Sequence, residues 1–125
     1  MKDEAKTTPV DLRSRTKQYA LRIIRLFSAL PATPVAQVLG KQLLRSGTSI
    51  GAHYREAFRS RSDADFVSKM ECGLQELDES AYWIDLIVET EMLSKTRLTQ
   101  LRTETDELIA IFTTCVKRTK ARRRA

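Results

Sequence analysis

The segment from Thr33 to Arg59 most constrains the fold, because it places three glycines on one face of a predicted helix. On a helical wheel, Gly40, Gly47 and Gly51 share that face with apolar residues, namely Ala36, Leu39, Leu43, Ile50, Tyr54, Ala57 and Phe58. Each glycine inside a helix costs about 1 kcal/mol relative to alanine. Glycines kept on a buried face at this cost indicate that another backbone approaches closely there. The opposite side carries a basic rail, which consists of Lys41, Arg45, Arg55 and Arg59.

Apolar residues recur at spacings of three and four in four segments, which predicts amphipathic helices. Pro31 and Pro34 separate the first helix from the second, since proline and the residue before it disfavour helical backbone. The expected N-caps are Thr8, Thr33, Ser62 or Asp63, and Ser94. No segment alternates with the period of a strand. Because the connections are short, we expect an all-α, antiparallel up-down-up-down four-helix bundle.

The charge of the chain is concentrated at one end of the sequence. Its 125 residues suffice for one domain. Of 22 Lys and Arg residues, six lie after Val116, and the other 16 balance the 16 Asp and Glu residues. We therefore divide the chain into a flexible leader (1–8), the bundle (9–116) and a flexible basic tail (117–125).

Composition also bears on the compartment. Two cysteines, Cys72 and Cys115, are too few for a disulfide scaffold and are expected to be reduced. No apolar run approaches the roughly 20 residues that span a membrane. The N-terminus lacks the apolar core of a secretion signal. We expect a soluble cytoplasmic protein with no membrane partner.

The third predicted helix has a second apolar side near its C-terminal end, formed by Tyr82, Trp83, Leu86 and Ile87. A helix that is apolar nearly all round is buried on more than one side. In a small bundle, another subunit would cover that second side, so these four residues are predicted to lie at a subunit interface. The alternative is that Trp83 lies across the edge of the bundle beneath the fourth helix.

The residues do not form a recognisable catalytic or metal site. His53 is the single histidine, and the two cysteines are far apart in sequence without a neighbouring ligand pair. No nucleophile, base and orienting acid can be identified, and no glycine loop follows a strand. The carboxylates Glu56, Glu76, Asp78 and Glu79 fit solvated helix faces or structural ion pairs better than an acid–base pair. No enzyme activity and no cofactor are expected.

Basic residues carry the remaining signal. The basic rail, Arg61 and the tail cluster could bind phosphate backbones by releasing counterions. The predicted nucleic-acid contacts are Lys41, Arg45, Arg55, Arg59, Arg61, Lys117, Arg118, Lys120, Arg122, Arg123 and Arg124. Aromatic residues do not alternate with the arginines, so no base-stacking platform is evident. The alternative is that these charges serve solubility alone.

Residues 42–70, QLLRSGTSIGAHYREAFRSRSDADFVSKM, resemble the signature of the bacterial four-helix bundle family, also known as ribosomal RNA intervening-sequence proteins. The matching residues are Leu43, Arg45, Ser46, Ser49, Ile50, Ala52, Glu56, Asp65, Phe66 and Lys69. A later match in ELDESAYWIDLI comprises Glu76, Glu79, Tyr82, Trp83, Ile84 and Leu86. One departure is His53, which stands where the family usually has asparagine.

The resemblance implies a homopentameric ring with a central channel and no enzyme activity. A related branch, the accessory proteins of diversity-generating retroelements, binds a reverse transcriptase and nucleic acid. Because Arg45 lies within the signature, a structural network of Arg45, Ser49, His53 and Glu56 competes with phosphate for this arginine. The preferred hypothesis is an oligomeric bundle that binds RNA or DNA electrostatically, as an accessory to a nucleic-acid enzyme. The alternative is a protein-interaction scaffold with no direct nucleic-acid role.

Overall fold

The structure, a computed structural model, describes residues 9–124, with side chains from Asp11 to Arg123. This part of the chain forms four α-helices and no strand, namely α1 (Pro9–Ala29), α2 (Pro34–Phe58), α3 (Asp63–Glu89) and α4 (Lys95–Arg124). The prediction of an all-α four-helix bundle is confirmed. The leader (1–8), with its predicted cap at Thr8, and Ala125 lie outside the described residues.

Two helix starts follow the capping residues predicted from the sequence. The hydroxyl of Thr33 accepts a hydrogen bond from the amide of Ala36 at 3.3 Å, and Pro34 occupies the first helical position. At α3, the hydroxyl of Ser62 accepts from the amide of Asp65 at 3.0 Å. Ser62 is therefore the N-cap, of the two candidates that the sequence offered. Each cap satisfies an amide that would otherwise lack an intrahelical partner.

The last helix is longer than we expected. It does not end at Val116, where we placed the start of a flexible tail, but continues through Arg124. Two ion pairs of 3.1 Å join its last turns to α3, Lys120 with Glu71 and Arg122 with Asp63. Residues 117–124 are therefore held beside the first turns of α3 rather than extending from the bundle.

The glycine face of α2 packs against α1. A methyl group added at Gly40 would lie 2.6 Å from Cδ1 of Leu30, and one added at Gly47 would lie 2.7 Å from Cγ1 of Ile23. Because the α1 residue number falls as the α2 number rises, the two helices run antiparallel. The glycine face therefore has a close helix neighbour, α1, but at Gly40 and Gly47 the nearest atoms belong to α1 side chains rather than to the backbone that we expected.

A layer of hydroxyl groups crosses the middle of the apolar core. Tyr19, Ser46, Ser80 and Thr105 come one from each helix, and each is 0% exposed. The Tyr19 hydroxyl lies 2.7 Å from Oγ1 of Thr105, and the Ser46 and Ser80 hydroxyls lie 2.8 Å apart. Burial raises the pKa of Tyr19 to about 12. Buried hydroxyls that satisfy one another in this way favour one alignment of the four helices over its alternatives.

Candidate nucleic-acid interface

Most of the predicted phosphate-binding residues lie at one end of the bundle. The end of α2, the start of α3 and the end of α4 meet there, as the 3.1 Å pair between Arg122 and Asp63 shows. We call this surface the basic end, and define it by the residues Arg13, Lys17, Arg55, Arg59, Arg61, Lys117, Arg118 and Arg123. All eight side chains are exposed, and none forms a salt bridge with another described side chain. A polyanion that bound these side chains would release counterions.

Three other residues at this end, Lys120, Arg122 and Arg124, were also predicted to contact nucleic acid. The Lys120 and Arg122 side chains are each already paired with an α3 carboxylate. Surface pairs of this kind contribute at most about 1 kcal/mol, so a phosphate can compete for them. The side chain of Arg124 lies outside the described residues.

Two members of the basic end, Arg13 and Lys17, were not among the predicted contacts. Both project from α1 and line a cleft of about 380 Å³ together with Arg55 of α2. Their spacing of four residues places them on one exposed face of α1, and this spacing is a signal that the sequence contains. Their proximity to Arg55 follows only from the packing of α1 against α2.

The other two residues of the basic rail, Lys41 and Arg45, lie away from the basic end. Lys41 is exposed in the half of α2 that is farther from the basic end. The guanidinium of Arg45 instead contacts two carboxylates of α3: Nη2 lies 2.5 Å from Oε1 of Glu79, and Nη1 lies 3.3 Å from Oε1 of Glu76. Arg45 is therefore held at the α2–α3 seam, away from the basic end.

A charged network continues along that seam. The second carboxylate oxygen of Glu76 lies 3.6 Å from Nε2 of His53, whose Nδ1 lies 3.2 Å from Oε1 of Glu56. Glu56 in turn lies 3.8 Å from Nζ of Lys69. At 13% side-chain exposure, Glu76 is the most buried member, and it links Arg45 to His53.

Three of the four residues predicted for the structural network, Arg45, His53 and Glu56, belong to this chain of contacts. Ser49 does not, since its hydroxyl donates to the carbonyl of Arg45 at 2.7 Å within α2. Arg45 and Glu56 are connected only through other residues of this chain of contacts, since Glu76 and Glu79 are the carboxylates at the guanidinium.

The predicted subunit interface needs one correction. Ile87 is 0% exposed and belongs to the core, because it lies one helical turn from the inward-facing Ile84. Tyr82 is 57% exposed, Leu86 is partly buried, and Trp83 packs against the core. The indole Nε1 of Trp83 is buried without a hydrogen-bond partner in the described part of the chain. Tyr82, Trp83 and Leu86 thus remain candidates for contact with another subunit.

The helices differ strongly in charge. Within its bounds α3 carries eight acidic residues and one lysine, whereas α1 carries five basic residues and one aspartate. Two ion-pair clusters hold the α4 side of the bundle: Arg15 contacts Glu104 and Glu107, and Arg102 contacts Asp85 and Asp106. The hydrogen bond to Glu104 raises the pKa of Arg15, and the one to Asp85 raises the pKa of Arg102.

Other kinds of site are less developed in residues 9–124. No group of three or more His, Cys, Asp and Glu side chains there could hold a metal ion. Cys72 and Cys115 are free thiols, each partly buried, and burial raises the pKa of Cys115. None of the described helices has the length and hydropathy needed to cross a bilayer.

Two comparisons relate the chain to known proteins. The model of a family described as 23S rRNA-intervening sequence protein matches residues 10–114. Among solved structures, the chain is similar to a protein of unknown function from the S23 ribosomal protein family of Bacteroides thetaiotaomicron VPI-5482. The similarity has a TM-score of 0.80 at 33% sequence identity, and covers 85% of this chain and 98% of that one. No curated protein matches the chain.

Proposed function

The chain belongs to the 23S rRNA-intervening sequence protein family, and we propose that it is a non-enzymatic bundle that binds the phosphate backbone of RNA or DNA at its basic end. One observation carries this proposal: eight exposed cations from α1, α2, the α2–α3 connection and α4 gather at one end, and none has a salt bridge with a described acidic side chain. Such a cluster binds polyphosphate by counterion release and needs no sequence recognition.

The distribution of acidic residues supports a defined orientation for this binding. Five of the eight α3 carboxylates are paired with cations. The other three, Asp65, Asp78 and Glu89, leave this helix weakly acidic, which disfavours phosphate along it. At the basic end, however, Asp63 is already paired with Arg122 at 3.1 Å. A nucleic acid would therefore follow the end of the bundle and avoid the flank that α3 forms.

We further propose that the bundle assembles into the homopentameric ring that the family resemblance implies. The ring of Tyr82, which is 57% exposed, supports a contact at this side of α3. A closed ring would repeat the basic end once per subunit, and multivalent contact strengthens binding without any new interaction type. Sedimentation equilibrium at micromolar concentration tests the assembly, and a monomer would refute it.

Nucleic-acid binding is tested with two variants of equal charge. The basic-end variant replaces Arg55, Arg59 and Arg118 with Gln. The control variant also introduces three Gln residues, in place of Arg22, Arg25 and Arg97 in the other half of the bundle. None of these six side chains forms a salt bridge with another described residue. Fluorescence anisotropy measures the binding of an RNA hairpin and of a single-stranded DNA. The parent protein should bind each at least about tenfold more weakly at 200 mM salt than at 50 mM salt.

At low salt, the basic-end variant should lose most of the parent protein's affinity. It should also have a smaller salt dependence, because fewer counterions are released. The control should bind like the parent protein. Undetectable binding at about 50 mM salt, or an equal loss in both variants, would contradict the proposal.

The basic end could instead meet an acidic protein, such as the reverse transcriptase that the resemblance implies as a partner. A pull-down from a lysate treated with nuclease separates these functions. Partners that remain bound after nuclease treatment, and are lost in the basic-end variant, would favour the scaffold over direct binding of nucleic acid.

A further inference from the structure

A cleft of about 440 Å³ opens at the basic end, between the α2–α3 connection and the last turns of α4. This volume lies within the range of small-molecule sites, which is roughly 300–1,000 Å³. Its wall combines three arginines, Arg61, Arg118 and Arg122, with the aromatic rings of Phe58 and Phe66. Phosphate groups and nucleobases are the ligand parts that such a wall would recognise.

The charge in the cleft favours an anion. Arg122 is paired with Asp63 at 3.1 Å, so these two charges largely compensate each other. Arg61 and Arg118 are exposed and have no salt bridge in the described part of the chain. The cleft therefore retains two uncompensated positive charges, and a guanidinium group can bind a phosphate through two parallel hydrogen bonds.

The aromatic part of the wall is held in place by the core. The Phe58 ring stacks on Tyr54, with centroids 6.4 Å apart and planes inclined by 28°. The ring of Tyr54 in turn packs against that of Phe112, with centroids 6.1 Å apart, and both of these inner rings are buried. Phe58, in contrast, is 48% exposed, although the sequence pattern placed it on the packing face. It is the outermost ring of a series that begins inside the bundle.

We propose that this cleft binds one nucleotide of a single-stranded nucleic acid, with the base against Phe58 and its phosphate on Arg61 and Arg118. This inference rests on the proposed function and adds a contact to the base, which backbone binding alone does not include. Stacking on an aromatic side chain tolerates any base, because each base has a π-face. Arg118 comes from a different helix than Phe58, so the sequence alone does not bring these two residues together.

The test compares a short oligothymidylate with an abasic deoxyribose-phosphate chain of equal length and charge. Fluorescence anisotropy at low salt should show about tenfold tighter binding of the oligothymidylate, the effect of stacking one base. Phe58→Leu keeps an apolar side chain but removes the ring, so it should abolish this difference. Phe58→Tyr keeps the ring and should preserve it. Because Phe58 is half-exposed, circular dichroism is expected to show both variants folded.

The outcomes separate the cleft from the basic end. Equal affinity for the two chains, or a base preference that survives Phe58→Leu, would refute the cleft while leaving electrostatic binding intact. If the parent protein bound neither chain, the proposed function would be refuted as well. Arg118→Gln provides a second check, since it should weaken the binding of both chains and reduce the salt dependence.

Discussion

The middle of the bundle and its basic end use similar polar residues in different ways. In the middle, the hydroxyls of Tyr19 and Ser46 each have a partner on another helix, and Arg45 is shared by two carboxylates of α3. At the basic end, Arg59 and Arg118 are exposed without any acidic partner among the described residues. Arg45, at the contact between α2 and α3, therefore has a structural role, whereas Arg59 and Arg118 are free to bind a ligand.

The contrast follows from the charge of α3. Its middle turns place Glu76 and Glu79 opposite α2, where they compensate Arg45. Within its first three turns, Asp63 and Glu71 form ion pairs with residues of α4. The number of cations from the other helices exceeds the number of carboxylates there, so an excess of positive charge remains. Substitutions in the middle should change stability, and substitutions at the basic end should change binding.

The largest stability effect is expected from the hydroxyl layer at high pH. Burial raises the pKa of Tyr19 from its ordinary value of 10.0 to about 12. The unfolded chain therefore releases this proton at lower pH than the folded protein does. Stability should be complete below pH 10 and should fall as the pH rises towards about 12. Urea unfolding across this range should show a loss of about 2–3 kcal/mol from this residue.

Tyr19→Phe is the matched variant for this pH dependence. It lacks the ionisable group, so its stability should fall less steeply over the same range. Tyr54, whose pKa burial also raises to about 12, accounts for a remaining slope in both proteins. Identical slopes for the two proteins would contradict the assignment of this effect to the Tyr19 hydroxyl.

The next effect concerns the pair formed by Ser46 and Ser80, whose hydroxyls are 2.8 Å apart and fully buried. Ser46→Ala removes one partner, and should cost about 1–2 kcal/mol of unfolding free energy. The double variant with Ser80→Ala should cost little more than the single one, because both polar groups are then gone. Chemical denaturation gives the three values, and strictly additive costs would show that the hydroxyls do not interact.

Sequence reasoning predicted the elements of this fold well because their signals are local. The cap at Thr33 followed by Pro34 and the polar turn before α3 require only neighbouring residues. The glycine face of α2 likewise indicated a close helix neighbour, found in α1. The signature around Arg45 and the later Tyr82–Trp83 segment carried the family assignment, which the match over residues 10–114 confirms.

The site was harder to predict because its residues meet only through packing. The contact of Arg45 with Glu76 depends on how α3 aligns against α2, which no local pattern specifies. Arg13 joins Arg55 for the same reason. Ile87 was assigned to an outer face because apolar residues surround that part of α3. The structure buries it instead, since α3 presents more than one side to the core.

A smaller stability effect is expected at the α1–α2 seam. In Gly47→Ala, the new methyl would lie 2.7 Å from Cγ1 of the buried Ile23, so this side chain must shift. The overpacking should exceed the gain in helix propensity, with a net loss of about 1 kcal/mol. Gly51→Ala is the comparison variant, since its methyl would lie 3.2 Å from Oγ1 of Thr16, which requires a smaller shift and should cost less. Thermal unfolding that ranks Gly51→Ala as more damaging would contradict this packing.

The smallest stability effect tests the contrast between the middle of the bundle and its basic end most directly. It comes from replacing one arginine in each of these two regions. Arg45→Gln removes both ion pairs of a side chain that is 52% exposed, and should cost about 0.5 kcal/mol. Its affinity for nucleic acid should be unchanged. Arg59→Gln should leave the unfolding free energy unchanged but weaken binding and reduce the salt dependence, because one phosphate contact is lost. If Arg45→Gln weakened binding as much as Arg59→Gln, phosphate would be able to displace Glu76 and Glu79, and the seam would belong to the interface.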